Sequence, residues 1–334
     1  MDRSLVRWLA VGFGIMGIVF AVQFWPKRSA PAHQGGTAPT ANATKTGAET
    51  VVAKQVISPE RAGNSIWYAV DRALFRLDLT PKASPTVIGT LELLPRTIRW
   101  RADGQRLLAL VESEPAHWIA LNLQTNQSTV LKTVVLNPTL ATTRDRIIYS
   151  YSDETQTNVS VADFDGANWL AVTNLDPFIN RWWWPGDGTM AIGATDYTDP
   201  PQYVRLLMGA KRLEPLAPSY GVDLRLKLSP NESQALIDTG TADAPTISVA
   251  PISGGALTTP TADTSVRLSA WLDDHSVVSI SLDGTVTAFD FTKRTQTKLG
   301  QWPTTTFPID ELVAVTAKDY YAVIGGNLQR IPRP

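Results

Sequence analysis

A strand-like segment recurs seven times after residue 57. It reads Ala73-Leu-Phe-Arg-Leu-Asp-Leu79, His117-Trp-Ile-Ala-Leu-Asn-Leu123, Asn158-Val-Ser-Val-Ala-Asp-Phe164 and Tyr203-Val-Arg-Leu-Leu-Met-Gly209. It returns as Thr246-Ile-Ser-Val-Ala-Pro-Ile252, Thr285-Val-Thr-Ala-Phe-Asp-Phe291 and, truncated, Asn327-Leu-Gln-Arg-Ile331. Successive starts lie 44, 41, 45, 43, 39 and 42 residues apart. A period near 40–45 residues with β-type units is that of a propeller blade. One such unit cannot bury both faces of its own small sheet, whereas a closed ring of units can.

A second element keeps the same period. Trp100-Arg-Ala-Asp-Gly-Gln-Arg-Leu-Leu-Ala109 joins an aromatic residue, a polar turn and an apolar strand. The same order appears in Trp184-Pro-Gly-Asp-Gly-Thr-Met-Ala-Ile192, Leu228-Ser-Pro-Asn-Glu-Ser-Gln-Ala-Leu-Ile237 and Trp271-Leu-Asp-Asp-His-Ser-Val-Val-Ser-Ile280. Asp-Gly between two apolar runs makes a hairpin, with glycine taking the positive φ. Each unit therefore reads as an inner strand, a turn, two further strands and an outer strand. Outer strands are expected at 85–91, 127–133, 169–173, 213–217, 255–259 and 294–299.

This tryptophan, Asp-Gly turn and strand ending in Asp-Leu or Asp-Phe resembles the WD-like repeat of TolB-type β-propellers. The resemblance covers residues 51–334 and implies an all-β, seven-bladed propeller; six blades with an irregular terminal pair is the alternative. It speaks to fold and poorly to function, since propellers serve as scaffolds, receptors and enzymes. The seventh unit stops at Pro334 before an outer strand. Its ring must close on a three-stranded blade or borrow a strand from before Val51.

The N-terminus is a different polymer. Trp8 to Trp25 is apolar apart from Gln23, and as a helix it would cover about 27 Å, close to a bilayer core. Tryptophans stand at both ends, flanked by Arg3 and Arg7 on one side and Lys27 and Arg28 on the other. The reading is a seven-residue tail (1–7), a single transmembrane helix (8–25), a flexible Ala/Thr/Gly/Pro linker (26–50) and the propeller (51–334). The linker cannot bury enough apolar surface to order itself, and a coil of that length would span ~25–30 Å. A cleaved signal peptide ending near Ala30-Pro31-Ala32 is the competing account. The short, charged tail favours a cytoplasmic N-terminus and an extracytoplasmic propeller.

Composition excludes several functions. A net charge of −1 lacks the basic footprint of a nucleic-acid binder. The absence of cysteine removes disulfides, thiolate metal sites and cysteine nucleophiles. No Gly-x-Ser-x-Gly elbow, His-Glu-x-x-His pair or phosphate-binding Gly-Lys-Ser/Thr loop occurs. No cofactor is expected. Asp78, Asp163 and Asp290, with Asn122 at the equivalent site, suit turn-anchoring better than a ring of acids. Asp273-Asp274-His275 reads as a solvated turn rather than a metal site, and Asp163–Asn168 as an Asp-Gly hairpin rather than a calcium loop. Of Trp182, Trp183 and Trp184, alternation sends the outer two to one face and Trp183 to the other.

The inner strands carry cations: Arg96, Arg99, Arg181, Arg225, Lys227 and Arg267. Equivalent strands of a closed ring face one axis, so these charges can converge. Counting back from each strand's last residue, Arg99, Arg181, Arg225 and Lys227 fall at odd offsets and share the lumenal face. Arg96 and Arg267, at offset four, fall opposite, where ion pairs are expected. Pairing with Asp223, Asp310 and Glu311 is the simpler account of the whole group. The function that follows is a membrane-anchored, extracytoplasmic scaffold that offers its loops to a protein or envelope partner or holds an anionic ligand in the channel. The alternative is a hydrolase or lyase acting at the channel mouth.

Overall fold

The computed structural model describes residues 50–334 except 81, 102, 133–134, 153–156, 175–178, 180, 187, 196–201, 219–225, 240–245, 261–265, 303–308 and 334. The membrane span and the linker read from the sequence lie outside the described residues, apart from Thr50, which begins a strand. Among the described residues no helix is long and apolar enough to cross a membrane.

The strands form seven antiparallel sheets, each built from consecutive strands. We number the blades I to VII by inner strand: Val56–Ala62, Pro95–Trp100, Val135–Leu140, Arg181–Trp183, Leu226–Leu228, Val266–Trp271 and Glu311–Val315. Five expected outer strands are present, at Thr86–Thr90, Gln127–Val130, Leu170–Asn174, Arg212–Pro218 and Thr295–Gln301. The sixth is corrected. In blade V the sheet has three strands, and the expected 255–259 segment contributes a single bridge between Thr258 and Val249. Gly254 and Gly255, both at positive φ, turn the chain away from a continuous ladder.

Blade VII closes the ring. Its outer strand is Thr50–Ala53, from the opposite end of the chain, paired antiparallel with Asn327–Pro332. Thr50 lies opposite Arg330 and Val51 opposite Gln329, with a bulge before Ala53 meets Leu328.

The core is divided among the seams between blades. Ile66 and Tyr68 pack against Val313, Ala314 and Tyr321 of blade VII. Their neighbours Trp67 and Ala69 pack against Ile98, Trp100 and Leu107 of blade II. This is the period-two alternation of a strand with both faces buried. The same pattern gives a separate apolar cluster at each of the other seams. Trp182 and Trp184 are buried in the III–IV seam, while Trp183 is half-buried and faces away, as alternation requires.

The repeated turns fasten one blade to the next. The Arg101 guanidinium donates to Asp145 in blade III at 2.5 Å, and Arg106 reaches the other carboxylate oxygen at 2.6 Å. Thr143 Oγ1 donates to the Gly186 carbonyl at 2.8 Å, and the Gly186 amide to Glu232 at 2.7 Å. The Asn231 amide then donates to Asp274 at 2.7 Å. Blades II to VI are thus linked turn to turn around one rim. Between I and II the device is steric. A Cβ on Gly104, whose φ is +64°, would stand 2.0 Å from the Trp67 ring, so only glycine fits.

Candidate ligand-binding channel

The inner strands surround a cavity of about 500 Å³ to which all seven blades contribute lining residues. That volume suits a small ligand or a chain terminus. Charges in its wall comprise Arg61, Arg99, Arg101, Arg181, Lys227 and Arg267 against Glu60, Glu232, Asp310 and Glu311. Trp183 adds aromatic surface.

Several of these cations serve the ring. Lys227 Nζ donates to the carbonyls of Ser269 at 3.0 Å and Leu312 at 2.6 Å, and lies 3.8 Å from Glu311. One ammonium therefore ties together the inner strands of blades V, VI and VII. Arg61 does the same from blade I, donating to the carbonyls of Trp271 at 2.9 Å and Val315 at 3.2 Å. Arg101 is held by Asp103 and Asp145. Carbonyls left by the irregular inner strands receive charged donors here, which is how an otherwise open ladder is satisfied.

Arg99 and Arg181 are placed differently. Neither forms an ion pair with another described residue, although both line the cavity and both are half-buried. Burial chiefly, and then the Arg181 charge, lowers the Arg99 guanidinium to about 10. Glu60 responds to the same pair. Burial raises its carboxyl above the usual value, and Arg99 and Arg181 partly offset that rise. Water reaches Glu60 along the lumen, so protein hems it in without drying it, and screening tempers the shift. Arg181 lies over the Trp183 ring at 4.8 Å, within cation–π range.

The expected lumenal set of Arg99, Arg181, Arg225 and Lys227 thus has three members in the cavity wall, and Arg225 lies outside the described residues. Arg96 is turned away and sits 3.6 Å from Glu112, as expected. Arg267 is in the wall rather than behind it. A bulge between Val266 and Leu268 inserts Arg267 as an extra residue, so strict alternation does not decide its face. Bulges also interrupt the inner strands of blades I, II, III and VII. Glu60 and Arg61, which sequence reasoning missed, follow the bulge in blade I. The available signal was Ser58-Pro59, a breaker pair inside a strand pattern.

The other candidates are structural. Asp290 Oδ1 accepts from the amides of Thr292 and Lys293, and Asn122 Oδ1 from that of Gln124. Asp78 accepts instead from Ser65 Oγ and Arg76, which hold its carboxyl below the usual range. Asp163 takes the Asn168 amide side chain, and Asp273 accepts from the His275 amide. Among the described residues no group of three His, Asp or Glu side chains could hold a metal ion. Ser113 Oγ lies 2.8 Å from His117 Nδ1 but also donates to the Pro115 carbonyl, so the pair braces a turn.

No family model matches the sequence, and no curated protein does. Solved structures are similar in fold. A chain of the mitotic checkpoint complex aligns with a TM-score of 0.58 at 10% identity, covering 91% of this chain and 100% of that one. A putative TolB from Agrobacterium tumefaciens gives 0.50 at 15% identity, over 62% and 80%. TolB from Acinetobacter baumannii gives 0.48 at 13% identity, over 85% of this chain and 64% of that one, so the chain spans less than two thirds of that protein. The shared property is the β-propeller, a fold that commonly serves as a protein-interaction scaffold.

Proposed function

We propose that the protein is a membrane-tethered scaffold whose propeller presents one loop face to a protein partner outside the cytoplasmic membrane. The observation that carries this reading is the unequal character of the two ends of the ring. The end bearing the inner-to-second-strand turns is stitched blade to blade through Arg101, Asp145, Gly186, Glu232, Asn231 and Asp274. At the opposite end, where inner strands begin, Leu93 and Leu94 stand exposed in the loop entering blade II, and Leu282 is 57% exposed in the blade VI turn. Exposed leucines on a rigid support are what a partner with apolar surface would bury. The fold supports the reading by analogy, since the similar chain of the mitotic checkpoint complex sits in a multiprotein assembly. The tether rests on the Trp8–Trp25 segment.

A photo-crosslinking amino acid at position 94 or 282 of the full chain, in its native membrane, tests the reading. A discrete adduct from both positions and none from Thr125, on the stitched end, is expected. Equal adducts from all three, or none from any, would reject the loop face. Protease resistance of the propeller in intact spheroplasts would reject the topology.

A further inference from the structure

We propose that the channel cavity is a binding site for a single carboxylate, gripped by Arg99 and Arg181. The argument is one of local charge balance and donor geometry. Of the cations in the wall, Lys227 is taken by two carbonyls and Glu311, Arg61 by two carbonyls and Arg101 by two aspartates, and Arg267 is not without a partner either. On the acidic side Glu232 accepts the Gly186 amide, and Asp310 accepts the Gly326 amide at 3.1 Å. Glu60 remains as the one carboxylate whose charge couples to both Arg99 and Arg181. In formal count Lys227 offsets Glu311, Arg101 offsets Asp103, and Arg61 and Arg267 stand against Glu232 and Asp310. Arg99 and Arg181 with Glu60 thus leave the wall one positive charge, which a monoanion neutralises and a dianion would overshoot.

The donors fit that ligand. A guanidinium offers paired N–H groups matched to the two oxygens of a carboxylate. Arg99 and Arg181 come from the inner strands of blades II and IV and line the same cavity, where burial first and the Arg181 charge second lower the Arg99 guanidinium. Two like charges held near each other by a rigid ring form a preorganised anion site, because the unfavourable ordering is already complete before binding. The indole of Trp183 forms adjoining wall, and Arg181 already lies on it. It favours a carboxylate that carries a flat apolar group.

The test uses the full-length protein in detergent micelles and isothermal titration. The probes are benzoate, its neutral analogue benzamide, and one hexapeptide ending in phenylalanine, prepared with a free and with an amidated C-terminus. Binding of benzoate at least tenfold tighter than benzamide is expected. R99Q and R181Q should each weaken it at least tenfold, while R96Q, on the exposed Glu112 pair, should leave it unchanged. Benzoate binding alone identifies a small free acid. Binding of the free-carboxyl peptide but not its amide identifies a chain terminus. Thermal melts of each variant establish that it is folded. Should an arginine variant fail to fold, R99K and R181K retain the charge but lose the fork, and each should still weaken binding. No binding of any probe, equal binding of benzoate and benzamide, or unchanged affinity in folded R99Q and R181Q would overturn the site.

Discussion

Blades V and VII both lack the usual fourth strand from their own stretch of sequence, and the protein treats the two gaps differently. Blade VII is completed by Thr50–Ala53, so the first described strand and the last belong to one sheet. Among the described residues blade V keeps three strands, and its edge at Ile247–Pro251 is covered where Val249 and Thr258 exchange two backbone hydrogen bonds of 2.9 Å and Ser248 Oγ lies 2.7 Å from Thr259 Oγ1. The difference follows from where each gap falls. Blade VII is the seam at which the ring would open, so its closing strand ties distant parts of the chain together, in effect a long loop closed by hydrogen bonds. Blade V is flanked by covalently continuous neighbours, and its missing strand leaves only an edge to protect.

Four outcomes would break or sharpen that contrast. Replacing Thr50–Ala53 by Gly-Ser-Gly-Ser in the full chain should have the largest effect, on the order of 3–5 kcal/mol, with a broadened thermal transition by circular dichroism. A shift no larger than that of an ordinary surface substitution would show that the ring holds without its closing strand. Leu328→Ala, in the wholly buried VII–I seam, should cost about 3–4 kcal/mol in urea unfolding, against about 2 kcal/mol for Ile247→Ala beside the open edge. The second site has room to relax; equal costs would mean that it does not. Thr258→Pro removes one donor of the lone bridge and should cost about 1 kcal/mol or less. The smallest effect is electrostatic. Because the folded carboxyl of Glu60 lies above its usual 4.5, its ionised form opposes folding, and stability should rise as pH falls through that interval. Glu60→Gln should flatten the rise, and identical pH profiles for the two proteins would remove the channel's influence on that group.

The period of the sequence made the blades legible because each must bury two faces, and burial writes itself as alternation. Ile66, Trp67, Tyr68 and Ala69 show this most directly, going by turns to the VII–I and I–II seams. The same rule placed Arg99, Arg181 and Lys227 in the cavity wall. It failed at Arg267 and was silent on Glu60 and Arg61, because a bulge adds a residue without leaving a hydrophobic mark. The third strand of blade V closes with Ala250-Pro251, and that proline, with Gly254 and Gly255 beyond it, was the available hint that a ladder would not continue. What the cavity cations bond was hidden for a different reason. Lys227 and Arg61 reach backbone carbonyls one and two blades away, and backbone acceptors carry no residue identity to read.

Ring closure by the N-terminal strand can be tested by a single cross-link, since the chain has no native cysteine to compete. Val51 and Gln329 are opposed across the pair of strands that closes blade VII, so V51C/Q329C in the full-length protein places two thiols within disulfide reach. Under mild oxidation the account predicts near-complete intramolecular disulfide formation, seen as faster migration on a non-reducing gel, and a raised melting temperature that reduction reverses. Free thiols persisting in the folded, oxidised sample, or a cross-link that forms without raising the melting temperature, would contradict it.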